Sequence, residues 1–127
     1  LVNFVFRQYP AYRKSVKMIH HNIAELAKKV WPQLVVLDGF VCMEGDGPID
    51  GTPVNMKIAI ASTDPVKADG VGARVMGFDP AEIGYLNYLQ RYGMGEYSLE
   101  GLVGERIENV QREFKRHGTY DIQKQWN

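Results

Sequence analysis

Asp38, Glu44, Asp46 and Asp50 crowd the stretch from Asp38 to Pro53, which also holds four of the chain's 13 glycines. Several oxygen ligands on one flexible loop suit a hard divalent cation. The spacing is not that of an EF-hand. Asp46-Gly47, Asp50-Gly51 and Gly47-Pro48 are also turn formers whatever the function. Asp69 is the sharpest single candidate. Helical spacing sets it between Val66 and Ala73, on an apolar face. A carboxylate there needs a partner, a hydrogen bond or a metal, because burying it bare is very unfavourable. The plainer alternative is a carboxylate held by loop N–H groups.

His20 flanks an apolar stripe beside Ala24 and Ala27. If it faces the end of the 34–37 segment, it can act with Asp38 as a general base or metal ligand. Otherwise it is a hydrogen-bonded core histidine. Nothing basic lies near Cys42 in sequence to lower its pKa, so it reads as a small apolar residue. Gly45-x-Gly47-x-x-x-Gly51 invites a phosphate-loop reading. No Gly-Lys-Ser/Thr follows, and the neighbouring carboxylates repel phosphate.

These residues need elements to position them. Val16, Ile19, Ile23, Leu26 and Val30 recur at steps of three and four, which predicts a helix from a Ser15 cap to Pro32. Leu34 to Leu37 is apolar on both faces and predicts a central strand covered on each side. Asp38 then sits at its carboxyl end, where open α/β sheets bind ligands. Residues 38–53 follow as a glycine-rich loop. Val54 to Ala61 alternates and predicts a second strand. Asp64-Pro65 starts a helix to about Met76, in which Gly70 and Gly72 permit close approach of a neighbouring backbone or ligand. Asp79-Pro80 repeats the device for a helix to about Tyr92. Its tyrosines, Tyr85, Tyr88 and Tyr92, suit core or interface. Ile107, Val110 and Phe114 suggest a last helix ending near Gly118. Residues 119–127 form a polar tail, mobile unless Trp126 docks.

The 127 residues, 45% hydrophobic and 24% charged, suit a single domain with a real core. Fifteen basic residues offset fifteen acidic ones, so no broad basic field exists to hold nucleic acid or an anionic membrane. No apolar run approaches the roughly 20 residues of a membrane span, and no signal-peptide pattern opens the chain. One cysteine excludes an internal disulfide, fits a reducing cytoplasm, and leaves no iron–sulfur cluster to be built from this chain alone.

Asp38-Gly39, Met43-Glu44-Gly45-Asp46-Gly47-Pro48, Gly51-Thr52-Pro53 and Asp64-Pro65-Val66 with Asp69 together resemble the domain-of-unknown-function family numbered 362. Gly77-Phe78-Asp79-Pro80, Glu82-Ile83 and Val103-Gly104-Glu105 extend the likeness, which runs from about Ile19 to Glu105. Members are often described as iron–sulfur cluster-binding proteins. The resemblance implies a redox setting and a ferredoxin-like module as partner, and it makes this chain the later portion of a longer protein. It implies no particular reaction.

The expectation is therefore an α/β fold, with a small, at least partly parallel sheet and helices packed on it. Asp38, Asp69 and His20 are the candidate catalytic residues. Glu44, Gly45, Asp46, Gly47 and Asp64 are the candidate ligand-binding residues, and Asp38, Glu44, Asp46 and Asp69 the candidate ligands of a divalent metal. The partner would be a small molecule or metal, or a second copy through the tyrosine-bearing helix or the apolar N-terminus, residues 1–6. The rival reading is a non-catalytic scaffold in which the same carboxylates cap helices and pin the loop.

Overall fold

The computed structural model describes residues 16–127. The expected Ser15 cap and anything in residues 1–15 lie outside them. Helix α1 (Val16–Ala27) is followed by a hairpin of β1 (Val35–Asp46) and β2 (Asp50–Ser62), then α2 (Pro65–Val75), a 3-10 turn (Pro80–Glu82) and α3 (Gly84–Arg91). Two single-turn helices, α4 (Ile107–Val110) and α5 (Tyr120–Gln123), complete the order.

The class is α/β, but the sheet is antiparallel. The partly parallel sheet expected from the apolar 34–37 run is thereby corrected. A parallel partner needs a long crossover. Here the stretch read as a loop is itself strand, closed by the turn at residues 47–49, with Asp46 opposite Asp50 and Val35 opposite Ser62. Among the described residues, the 34–37 segment is covered on one side only. Leu34 and Val36 are each 63% exposed, because helix α2 covers only the other face of the hairpin.

The register slips once. Gly39 faces Ile58 but Val41 faces Asn55, so β2 carries one residue more than β1 at this point. Such a bulge bends and twists the strand. Lys57 within it takes φ 56°, left-handed backbone that residues with a Cβ rarely adopt.

Helix α2 stands between two apolar clusters. Its Val66 packs with Ala24 of α1, Leu86, Tyr88 and Leu89 of α3, and Trp126. Its Val71 and Val75 pack with Ile107 and with Met56, Ile58 and Ile60 of the hairpin. Gly70 lets the chain pass closely. A Cβ there would lie 2.5 Å from the Cβ of Tyr97 and 3.0 Å from its Cα. Helix α1 ends before Val30, which is 53% exposed; the Lys29 and Val30 N–H groups both donate to the Leu26 carbonyl.

The helix expected through Phe114 stops after one turn. Arg112 N–H donates to the Val75 carbonyl and Phe114 N–H to the Met76 carbonyl, so residues 111–118 run as an extended strap instead. Trp126 docks: its side chain is buried against Tyr88, and its indole N–H donates to the Glu82 carbonyl at 2.8 Å.

Candidate functional site

The carboxylates are distributed along the hairpin rather than gathered. A strand rises roughly 3.3 Å per residue. Asp64 lies just past the open end of the hairpin, and Glu44 and Asp46 lie at the closed end. On the order of 40 Å of extended chain separates them. A loop could fold these groups back on one another, but a paired strand holds them apart. Among the described residues, no group of three or more His, Cys, Asp or Glu side chains could hold a metal ion. The acidic residues expected in one pocket are thus not brought together as a metal-holding group among the described residues.

Most of the candidate carboxylates serve backbone N–H groups. Asp64 caps α2, accepting from Val66 N–H at 2.8 Å and Lys67 N–H at 3.2 Å. Asp38 accepts from Phe40 N–H at 2.9 Å. Glu44 accepts from Lys115 N–H at 2.9 Å, and Asp46 from Gly118 N–H at 2.7 Å. The Gly45 N–H donates in turn to the Lys115 carbonyl at 3.0 Å. Three successive residues of β1 thus bind the strap to the closed end of the hairpin. His117 Nε2 stands 3.6 Å from Asp46 Oδ1 and adds charge pairing when protonated. A Cβ on Gly47 would lie 2.9 Å from Met43 Sδ, the end of a flexible, exposed side chain that can move aside.

Asp69 differs from all of these. It stands on the half-buried side of α2 and, among the described residues, takes no backbone N–H. Its Oδ2 accepts the Tyr85 hydroxyl at 2.9 Å. Burial pushes the Asp69 carboxyl above its ordinary range, and the Tyr85 hydrogen bond offsets only part of that. Burial, then the Asp69 charge, push the Tyr85 phenol far up in turn, so it stays a proton donor.

His20 reaches the same tyrosine from the other side. Its Nδ1 accepts the Tyr85 N–H at 3.2 Å, and the two rings stack at 6.1 Å. Burial lowers the His20 pKa, with a backbone hydrogen bond to Gln123 opposing. An Nδ1 that accepts leaves the other ring nitrogen to carry the proton, which describes a neutral imidazole. Asp69 and His20, both expected in the site, are therefore linked through Tyr85. His20 does not reach Asp38 by any hydrogen bond or ion pair among the described residues.

Tyr85 is the residue that sequence reading missed. Its helical spacing suits core or interface, and nothing near it in sequence announces a carboxylate 16 residues earlier. The strap residues Lys115 and Gly118 were missed for a related reason. They contribute backbone N–H groups, which carry no side-chain signature.

The sequence matches the profile of a family described as a domain of unknown function (DUF362), over residues 5–74. This chain belongs to the DUF362 family. The matched span includes the hairpin, the Asp64 cap and Asp69. A thylakoid-associated protein of Synechocystis sp. is 33% identical over 87 residues, covering 68% of this chain and 27% of that protein's length. The DUF362 chain thus spans about a quarter of that relative. No solved structure matches. Among the described residues, no helix is long and apolar enough to cross a membrane.

Proposed function

We propose that this DUF362 chain is a non-catalytic scaffold whose outer hairpin face, open among the described residues, docks a further protein unit. The unit proposed is the ferredoxin-like iron–sulfur module that the family resemblance implies. One observation carries the scaffold reading: Asp38, Glu44, Asp46 and Asp64 each hold a backbone N–H. Each of these carboxylates has a structural partner that accounts for it without a cation. The docking reading is supported by Val36 and Phe40, which are 63% and 61% exposed on the hairpin. Apolar side chains grouped on an open face mark interaction surfaces. Any cluster would belong to the partner, since this chain has the single Cys42. The same lone thiol supports a reducing, cytoplasmic setting.

Calorimetric titration of the chain with magnesium, manganese, calcium and zinc tests the first part. No saturable heat is expected, while Glu44→Ala and Asp46→Ala each lower stability by about 1 kcal/mol through a lost N–H acceptor. A saturable heat that disappears in either variant overturns the scaffold reading. For docking, sedimentation of the chain with an isolated ferredoxin-like module should show a complex that Phe40→Glu abolishes. Its absence with the unsubstituted chain overturns that part.

A second reading is favoured by Asp69, which among the described residues is held by the Tyr85 side chain instead of by backbone. In that reading Asp69 and Tyr85 bind a small molecule, in a redox-linked enzyme, with Asp69 exchanging a proton. Its support is the raised carboxyl pKa, a common feature of functional groups. A small-molecule substrate whose turnover is lost in Asp69→Asn, in a variant that folds normally, would displace the scaffold reading.

A further inference from the structure

Helix α2 does not seal against the hairpin along its whole length. Between them lies a cavity of about 190 Å³, walled by Leu37, Met56, Ile58, Ile60, Val75 and Phe114. Gly72 borders it from within α2, a place where glycine is unfavourable to the helix. A Cβ there would lie 3.2 Å from Leu37 Cδ1 and 4.0 Å from Ile60 Cδ1, so a side chain would grow between two of the walls. The glycine leaves that space open. For scale, an apolar cavity of about 150 Å³ stays dry and takes up benzene.

Among the described residues, the walls offer little for a polar ligand to pair with. The Val75 and Met76 carbonyls already accept the Arg112 and Phe114 N–H groups of the strap. Cys42 lines the cavity with a thiol, a weak hydrogen-bonding group. Burial, then the Asp38 charge, push that thiol pKa up, so it stays uncharged. The Asp38 carboxylate belongs to the other face of β1, with exposed Val36 and Phe40, and it accepts the Phe40 N–H there.

We propose that this cavity binds a small, uncharged apolar molecule the size of a single aromatic ring, seated between Leu37, Ile58 and Ile60 of the hairpin and Phe114 of the strap. The site lies on the inner face of the hairpin and is independent of the docking face proposed above. Removing the ring's apolar surface from water supplies the binding. The bare walls supply the discrimination. A charged group on the ligand, of either sign, would leave water without gaining a partner.

The test is methyl NMR of the full chain, titrated with toluene, benzylamine and benzoate. Toluene should give saturable shifts at the Leu37, Met56, Ile58 and Ile60 methyls. Benzylamine and benzoate should both bind at least roughly tenfold more weakly, since each carries a charge that the walls leave unpaired. Gly72→Met sends a flexible, unbranched side chain into the space and should abolish the toluene shifts. The comparison of the three probes needs no variant, so it stands whether or not Gly72→Met folds. No methyl shift with toluene up to its solubility limit overturns the proposal. So do equal affinities for the three probes, or toluene binding that persists in folded Gly72→Met.

Discussion

Tyr85 donates its hydroxyl hydrogen to Asp69 across the α2–α3 contact at 2.9 Å, joining two helices through a half-buried carboxylate. Burial raises the Asp69 pKa, so the folded protein binds that proton more tightly than the unfolded chain does. The resulting stabilisation is fully present below the unfolded carboxyl pKa, and it is lost as pH rises through the folded value. At neutral pH the ionised group therefore works against folding. Asp69→Asn keeps an acceptor for Tyr85 and sheds the charge. It should raise the melting temperature, more at pH 8 than at pH 4. Tyr85→Phe strands the carboxylate and should cost about 1–3 kcal/mol at neutral pH. Thermal melts of both variants at the two pH values check this.

His20 shifts in the opposite sense. Burial lowers its folded pKa, so the fold favours the neutral ring. Its contribution is present above the unfolded value of 6.5 and is lost as pH falls through the folded value. The groups facing it are Tyr85, Gly84 and the Gln123 backbone. Urea unfolding should therefore show stability declining as the solution is made more acidic than about pH 6.5. His20→Asn, which keeps an acceptor for the Tyr85 N–H but does not titrate in this range, should lose that part of the slope.

Gly84 is required by packing. A Cβ there would lie 2.6 Å from Trp126 Cγ and 2.7 Å from His20 Cγ. Both neighbours are rings wedged into the α1–α3 cluster and cannot swing aside as a flexible chain would. Gly84→Ala should cost about 1–3 kcal/mol by overpacking. Denaturant unfolding followed by tryptophan fluorescence reads both the loss and any undocking of Trp126.

Lys57 pays for the bulge with left-handed backbone at φ 56°. Lys57→Gly should be neutral or stabilising by up to about 1 kcal/mol, since glycine takes that conformation freely. Lys57→Val, β-branched in the same place, should destabilise by about 1–2 kcal/mol. Opposite signs for the two substitutions in urea unfolding confirm that backbone conformation, and not the lysine charge, governs the position.

Local signals were legible where the chemistry is local. Asp64-Pro65 announces the start of α2 because the cap, the missing proline N–H and the first turn lie within a few residues, whereas the Asp79-Pro80 helix expected through Tyr92 is only a 3-10 turn, and α3 starts separately at Gly84. Both carboxylates do cap, accepting from Val66 and Ala81 N–H groups. The apolar stripe of α1 and the alternation of β2 are visible for the same reason. Asp69 on an apolar face correctly announced a half-buried carboxylate with a partner.

The 38–53 stretch reads as a loop from sequence because its glycines and prolines look alike in a loop and in a strongly bent hairpin. Gly39, Gly45 and Gly51 all lie in paired strand. Strand assignment there depends on a partner, and the partner is the other half of the same stretch. Sequence reading took the carboxylates as neighbours because they are close in the chain. Pairing into extended strand separated them.

The amino-acid sequence alone determined the caps, the helix faces, the need to satisfy Asp69 and the want of enough cysteines for a cluster. Each of these depends on a few adjacent residues and on backbone geometry common to all chains. The tertiary structure alone decided that the sheet is antiparallel, that Tyr85 meets Asp69, and that Glu44 and Asp46 hold a strap some 70 residues on, at Lys115 and Gly118. Those contacts form between backbone and side-chain atoms far apart in sequence. Only packing the two apolar clusters on either side of α2 brings them within reach.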